Sequence, residues 1–405
     1  MPITEALSAL EKKVCADIAA QRDGLVNELA QWVAIPTGFN NTQGLDELRG
    51  IVTQRLEALG ARTSLMPGDP RPAWLGEGRM VSDNVPPLAV CRHEAKCGLP
   101  KVLIAGHLDT VFDPRGKFRE MTVSPDGKTG NGPGVVDMKG GILIAITALE
   151  AIADAGIDLP WTFTFNSDEE TGSFHSDSAL RAEAKKHEIG LAVEPGLPGG
   201  GLAIARKGSG QFLIDIRGRS AHAGRAFFEG VSAVYALGQV LTKLHDLSDA
   251  TREISVNVGP LKGGEATNIV PDHAALWGNA RYPANELGDE VGRAIDALAT
   301  PAGTLPEVTV HRVFSRPAKP EIPATRALAE QIRALARDMG EELAFASTGG
   351  VCDGNNLQDA GLPTIDTLGV RGGDLHKTSE WIELDSLVDR AQLFACLMLR
   401  LHGAN

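Results

Sequence analysis

The sequence predicts an α/β protein: a mostly parallel sheet covered by helices on both faces, with a second, α+β domain inserted into the chain. Three observations predict it. Short apolar runs at 101–106, 161–166 and 190–194 stop abruptly at polar residues, as buried parallel strands do where they meet a loop. An apolar helical pattern at 137–156 lies between the first two runs and supplies the right-handed crossover that parallel neighbours require. From about Lys207 the pattern changes to alternating, half-exposed strands, and it changes back after the Pro-rich RPAKPEIP at 316–323. At 405 residues the chain also exceeds what one hydrophobic core usually supports, so two domains are expected.

Taken in order, residues 1–60 carry helical patterns broken at TGFNNTQG. KVLIAG (101–106) is followed at once by polar HLDT. DMKGGILIAITALEAIADAG (137–156) reads as a helix with apolar residues at three- and four-residue spacing, closed by Gly156. WTFTFN (161–166) and GLAVE (190–194) are further strands. Then come a strand (210–218), a helix (229–247), strands at 252–259 and 273–283, a helix (289–299) and a strand (306–314). That β-α-β-β-α-β order is the split βαβ arrangement. A helix at 324–337, a strand in TIDTLG and a helix from Ser386 to His402 restore the first texture. The expected boundaries are 1–206 and 316–405 for the first domain and 207–315 for the insert.

Composition narrows the function. The formal charge is −13 with no Lys/Arg cluster, which argues against a nucleic-acid partner. No apolar run is long enough to span a bilayer, and MPITEALSALEKKV lacks a signal-peptide core. Five scattered cysteines (Cys15, Cys91, Cys97, Cys352, Cys396) fit a reduced, cytoplasmic chain. Cys91 and Cys97, with His93 and Glu94 between them, are a poor match to a structural zinc site.

The residues that carry chemistry stand mostly where strands end. They are His107 and Asp109 in GHLDT, Asp137 in VVDMKGG, Glu169 and Glu170 in NSDEETGS, Glu194 in LAVEPG, and His376 in DLHKTSEW. Ligands of open α/β sheets bind outside the carboxyl ends of the strands, so the fold itself would bring these segments together. Imidazoles and carboxylates without clustered thiolates suit a catalytic zinc or another first-row divalent ion. Asp109, two residues beyond His107, is placed to accept its second ring hydrogen. Any one of these residues alone reads as a helix cap or a solvated turn; the joint pattern is what carries the reading. Adjacent carboxylates can divide labour, one binding metal while the other takes a proton from the attacking water. The ligand types suffice for two ions, but the sequence alone does not count them.

With these motifs in hand, the chain resembles the co-catalytic zinc peptidases and deacylases: glutamate carboxypeptidase (carboxypeptidase G), acetylornithine deacetylase and succinyl-diaminopimelate desuccinylase. The resemblance spans essentially the whole chain and rests on GHLDTVF (106–112), GVVDMKGG (134–141), SDEETGS (167–173), VEPG (193–196) and GRSAHAG (218–224). It implies two Zn2+ per chain, with Co2+ or Mn2+ as substitutes. His107, Asp137 and Glu194 would hold one ion, and Asp137, Glu170 and His376 the other, Asp137 bridging. Glu169 would be the general base and later the proton donor, and Asp109 would orient His107. His222 would stabilise the oxyanion, often from a partner subunit, which fits a homodimer formed through the inserted domain. Asn268 in EATNIVP, Arg281 in GNARYP and Gly350 match positions that clamp a substrate carboxylate. Arg316 would hold an acidic side chain, and Lys207 is a weaker candidate for the same pocket.

The segment GGVCDGNN (349–356) departs from the family pattern, which usually has a hydroxyl residue where Cys352 stands and a glycine where Val351 stands. Cys352 suggests either a nucleophile or, more simply, a small residue lining the pocket. The leading expectation is hydrolysis of an amide bond beside an amino acid with a free carboxylate, the substrate being a small amidated or N-acylated amino acid. N-acyl amino acid deacylation, dipeptide cleavage, an aminopeptidase activity and a non-catalytic binding module are the alternatives.

Overall fold

The computed structural model describes residues 5–38, 41–75, 85–95 and 102–404. Its principal sheet has six strands in the order Arg62–Met66, Leu88–His93, Trp161–Asn166, Val102–His107, Ile189–Ala192 and Thr364–Ile365. From Trp161–Asn166 to Thr364–Ile365 the neighbours are parallel. The first two strands run antiparallel to each other, and Leu88–His93 runs antiparallel to Trp161–Asn166, so the sheet is mixed, with three of its five neighbouring pairs parallel. An antiparallel pair needs no crossover helix, and so this edge leaves no helical signature in the sequence.

Strand alternation distributes the apolar side chains to two faces. In Val102–His107, Val102 and Ile104 join a cluster that includes Ile142, Ile146, Phe394 and Val14. Leu103 and Ala105 join another with Leu180, Ala184 and Leu357. The first face is therefore covered by helices Ala9–Ala19, Gly140–Asp154 and Ser386–Leu401, the second by Asp177–Ala184 and Asp353–Asp359. Gly140–Asp154 is apolar on nearly every side, as befits an interior helix. Its start presses on the strand segment before Glu194: a Cβ on Gly141 would lie 2.0 Å from the Val193 carbonyl oxygen. Only glycine lets the helix approach that closely.

A second sheet, in the order Ser255–Gly263, His273–Tyr282, Gly208–Arg217 and Glu307–Arg316, is antiparallel throughout. Helices Ala233–His245 and Asn285–Asp296 intervene in β-α-β-β-α-β order. Phe212, Ile214 and Ile216 on one face pack with Leu237, Leu244, Val291 and Ile295 in a separate apolar cluster. The chain then returns to the first sheet through Thr364–Ile365. Among the described residues, no helix is long and apolar enough to cross a membrane. Cys97 lies outside the described residues; Cys91 is a buried free thiol.

Candidate metal centre and the cavity beside it

His107 is the last residue of its strand and is almost wholly buried. Its Nε2 lies 3.1 Å from Asp137 Oδ1 and 3.9 Å from Glu194 Oε1. On the other side of the ring, Nδ1 is 3.0 Å from the Asp109 carbonyl and 3.3 Å from Asp109 Oδ1. Asp109 does more than face this ring. Its two carboxylate oxygens accept the backbone N–H groups of Glu169 (3.2 Å) and Glu170 (2.9 Å), tying the acid pair to the histidine strand.

His376 reaches the same place from a loop far along the chain. Its Nε2 is 3.4 Å from Asp137 Oδ2 and 3.2 Å from Glu170 Oε2. Asp137 thus touches both histidines, one with each oxygen. Ligand atoms of His107, Asp137 and Glu170 lie within 4.8 Å of one another. Among the described residues, the non-glycine residues with positive φ are Ser173, Asp374, His376 and Glu253. Ser173 and Asp374 neighbour the acid pair and His376 in sequence, so three of the four mark segments held against local preference around the cluster.

The electrostatics suit cations. Burial pushes the Glu170 carboxyl up to about 7, with Asp137 adding to the rise. Burial likewise holds Glu194 well above the ordinary range, opposed by His107. Burial also disfavours charge on Asp137 and on His107, but hydrogen bonds with His107 and His376 keep the Asp137 carboxyl low, and those with Asp109 and Asp137 keep the imidazole high. Three carboxylates packed around buried imidazole nitrogen, with no thiolate, form a donor set for a hard or borderline divalent ion. The residues present fit such a group.

The sequence extends the helix after this site back to Asp137. The structure starts it at Gly140, after an irregular turn, Val135–Lys139, in which Asp137 and Met138 are not helical. The reason is a residue missed in the sequence. Buried Glu380 accepts N–H bonds from Gly134 (3.3 Å), Val136 (3.0 Å) and Asp137 (3.1 Å), replacing the partners a helix would provide. Its place four residues after His376 was the only available signal.

Glu169 begins a short turn beside Glu170, and its carboxyl is pushed up to about 8 by burial, against the pull of Arg316. Arg316 was expected to meet a substrate acid; in the structure the chain's own acids hold it. Its guanidinium is buried and lies 2.7 Å from Glu169 Oε1 and 2.6 Å from Asp353 Oδ1. Asp353 is a second residue the sequence did not assign: it also accepts from Ser173 Oγ and Asn166 Nδ2, both at 2.6 Å.

A cavity of about 500 Å3 opens beside the acids, lined by Glu169, Glu170 and His376 on one side and by the second sheet on the other. Arg281 and Gly350 line it too. Arg281 Nε donates to Asn279 Oδ1 at 2.9 Å, while its buried Nη1 has no hydrogen-bond partner among the described residues. The Gly350 carbonyl is held by Arg206 Nη1 at 3.2 Å, and Arg206 and Lys319 share the buried Asp366.

Lys207, His222 and Asn268 are not brought to this cavity. Lys207 Nζ bonds the carbonyl and carboxylate of Glu253, at 2.8 and 3.2 Å. His222 is exposed on a two-residue ribbon, Ala221–His222, paired with Ile269–Val270. Asn268 precedes that second strand, and its carbonyl accepts the Ala223 N–H at 2.9 Å. Cys352 caps helix Asp353–Asp359, and burial pushes its thiol well above its ordinary range. A thiol held protonated there is a poor nucleophile.

Residues 103–400 match peptidase family M20/M25/M40. The chain is 26% identical over 388 residues to carboxypeptidase G2 of Pseudomonas sp. (strain RS-16), covering 94% of this chain and 90% of that protein. It is 25% identical over 325 residues to a succinyl-diaminopimelate desuccinylase of Alkalilimnicola ehrlichii, covering 75% of this chain and 84% of that one. In fold it is similar to a tripeptidase of Staphylococcus aureus, with a TM-score of 0.74 at 22% identity over 94% of this chain and 98% of the other.

Proposed function

The chain belongs to peptidase family M20/M25/M40, and from that premise we propose that it hydrolyses an amide bond beside an amino acid with a free carboxylate, as a glutamate carboxypeptidase does. The observation that supports this most is one shared cavity. Glu169, Glu170 and His376 line it together with Arg281, whose buried Nη1 has no hydrogen-bond partner among the described residues. An arginine so placed suits a carboxylate.

His107, Asp137 and Glu194 would hold one divalent ion, and Asp137, Glu170 and His376 a second, zinc in the first instance with Co2+ or Mn2+ as substitutes. Such ions supply Lewis acidity, polarising a carbonyl and making water acidic at neutral pH. Glu169 takes the proton of the attacking water and delivers it to the leaving nitrogen. Arg316 holds Glu169 Oε1 at 2.7 Å, which leaves Oε2 for that transfer. Asp109 fixes the His107 ring and the backbone of both glutamates at once. His222 would stabilise the oxyanion only from a second copy of the chain, because its own ribbon lies outside the cavity.

The test is a product survey. Zinc-supplied protein is incubated with N-acyl amino acids, dipeptides and folate-type glutamates, and the released amino acid is identified by mass spectrometry. Release of carboxyl-terminal glutamate from blocked substrates is the expected result. Cleavage confined to peptides with a free amino terminus would refute the proposal and favour an aminopeptidase.

A further inference from the structure

The first and last helices cover the same face of the principal sheet, and between them lies a pair of thiols to which the chemistry above gives no task. Helix Ala9–Ala19 opens on a reciprocal cap: Ser8 Oγ accepts the Glu11 N–H at 3.2 Å, and Glu11 Oε2 accepts the Ser8 N–H at 2.7 Å. The other oxygen of Glu11 accepts from Arg400 Nε at 2.7 Å. One turn along each helix Cys15 meets Cys396, their sulfurs 3.6 Å apart. A turn further along the last helix, Gln392 Nε2 donates to the Cys15 carbonyl at 2.8 Å. Steps of about four residues that rise in one helix and fall in the other mark antiparallel neighbours, so polar ties on either side hold the thiols face to face. Cys15 is 1% exposed and Cys396 0%, within the apolar cluster that also holds Val14, Ile18, Phe394 and Leu397. Elsewhere Cys91 meets Thr63 Oγ1 at 3.4 Å and Cys352 caps its helix, which leaves this as the one thiol–thiol contact among the described residues. The hydrogen bond between the two sulfurs lowers the pKa of Cys15 and raises that of Cys396, so Cys15 ionises first.

We propose that Cys15 and Cys396 are a disulfide-forming pair, which a peroxide closes into a covalent staple between the first and last helices. The Cys15 thiolate attacks one oxygen of hydrogen peroxide and the O–O bond breaks. That sulfur becomes a sulfenic acid, and the departing hydroxide takes up the proton Cys15 gave up, forming water. The Cys396 sulfur then attacks the Cys15 sulfur, and its proton leaves with the displaced hydroxyl as a second water. Two thiols have lost two electrons to one peroxide. Because the sulfurs already touch, closure asks for side-chain rotation and a small approach of the helices, not a rearrangement. Burial makes the reaction wait for the terminal helix to open, so it is slow. The bond joins residues 381 positions apart, and a cross-link that closes so long a loop restricts the unfolded chain strongly. The hydrolase reading above is not needed for any of this.

The test reads neither turnover nor metal. The zinc-loaded full chain is reduced, freed of reductant and incubated with excess hydrogen peroxide. It is then denatured, alkylated with N-ethylmaleimide, digested and weighed by mass spectrometry. Without peroxide all five cysteines should carry the alkyl group. With it, the peptides containing Cys15 and Cys396 should emerge joined, lighter by two hydrogens than the separate peptides, and a phosphine reductant should part them. The oxidised chain should melt about 3 °C or more above the same sample re-reduced with the phosphine. Cys15→Ala and Cys396→Ala should each remove that difference, whatever their own stability. Cys15 and Cys396 still alkylated after peroxide, or oxidised to separate sulfinic or sulfonic acids, would overturn the pair. So would a joined chain that melts no higher than the reduced one, or a difference that survives in either variant.

Discussion

Replacing Glu169 by Gln should lower kcat by about 10²- to 10⁴-fold while metal content stays at the wild-type level. The substitution is chosen to remove one capacity only. Gln keeps an oxygen for Arg316, which lies 2.7 Å from Glu169 Oε1, and Asp353 at 2.6 Å still holds the other side of that guanidinium. The backbone N–H of residue 169 still bonds Asp109. What Gln cannot do is carry a proton between water and a leaving nitrogen. The effect should therefore fall on kcat with KM little changed, since Arg281 and the second sheet's side of the cavity are untouched. Steady-state kinetics on the best amide of the survey, with metal analysis of the same sample, checks it. Turnover within a few-fold of wild type would remove Glu169 from the role of base.

Asp137→Asn should have the larger effect on metal, lowering affinity by at least about 100-fold and removing turnover with it. Asp137 touches both histidines, 3.1 Å from His107 with one oxygen and 3.4 Å from His376 with the other. An amide of the same shape can offer one neutral oxygen to one cation, but it lacks the charge and the second oxygen that a bridge requires. Glu380 would still accept the backbone N–H groups at positions 134, 136 and 137 in the variant, so the turn should persist. Competition titration with a chromophoric chelator measures the affinity. Unchanged affinity for both ions would show that Asp137 is not shared.

Much of this site was legible because strand ends are legible. His107 and Glu194 follow apolar runs whose length and abrupt end mark buried parallel strands, and the fold then gathers what stands at those ends. His376, Asp137 and Glu170 were readable as ligand types, and the motifs they share with known peptidases connected them. What escaped depends on partners distant in sequence. The helical pattern runs through Asp137 without a break; only the carboxylate of Glu380, more than 240 positions on, turns that backbone out of the helix. Arg316 reads from sequence as a holder of a substrate's acidic side chain because its partners, Glu169 and Asp353, lie in segments that packing alone brings to it. Strand Arg62–Met66 has no buried residue and hence no apolar alternation to announce it. The inserted sheet was read correctly in order from alternation, yet helix Asn285–Asp296 begins a turn before the expected 289, since the capping region carries no strong apolar signal. Alternation also could not place His222 and Asn268. His222 falls on a short ribbon and Asn268 just before its second strand, and the ribbon's position follows from how the insert folds back on itself.

We propose that five residues from distant segments, His107, Asp137, Glu170, Glu194 and His376, make one centre for two divalent ions. Inductively coupled plasma mass spectrometry on zinc-loaded, exhaustively dialysed protein tests it most directly, with activity followed through chelation and metal return. The expected result is two zinc ions per chain, activity lost as they are removed, and activity regained with Zn2+, Co2+ or Mn2+. A fully active chain without metal, or two ions retained undiminished by Asp137→Asn, would contradict it.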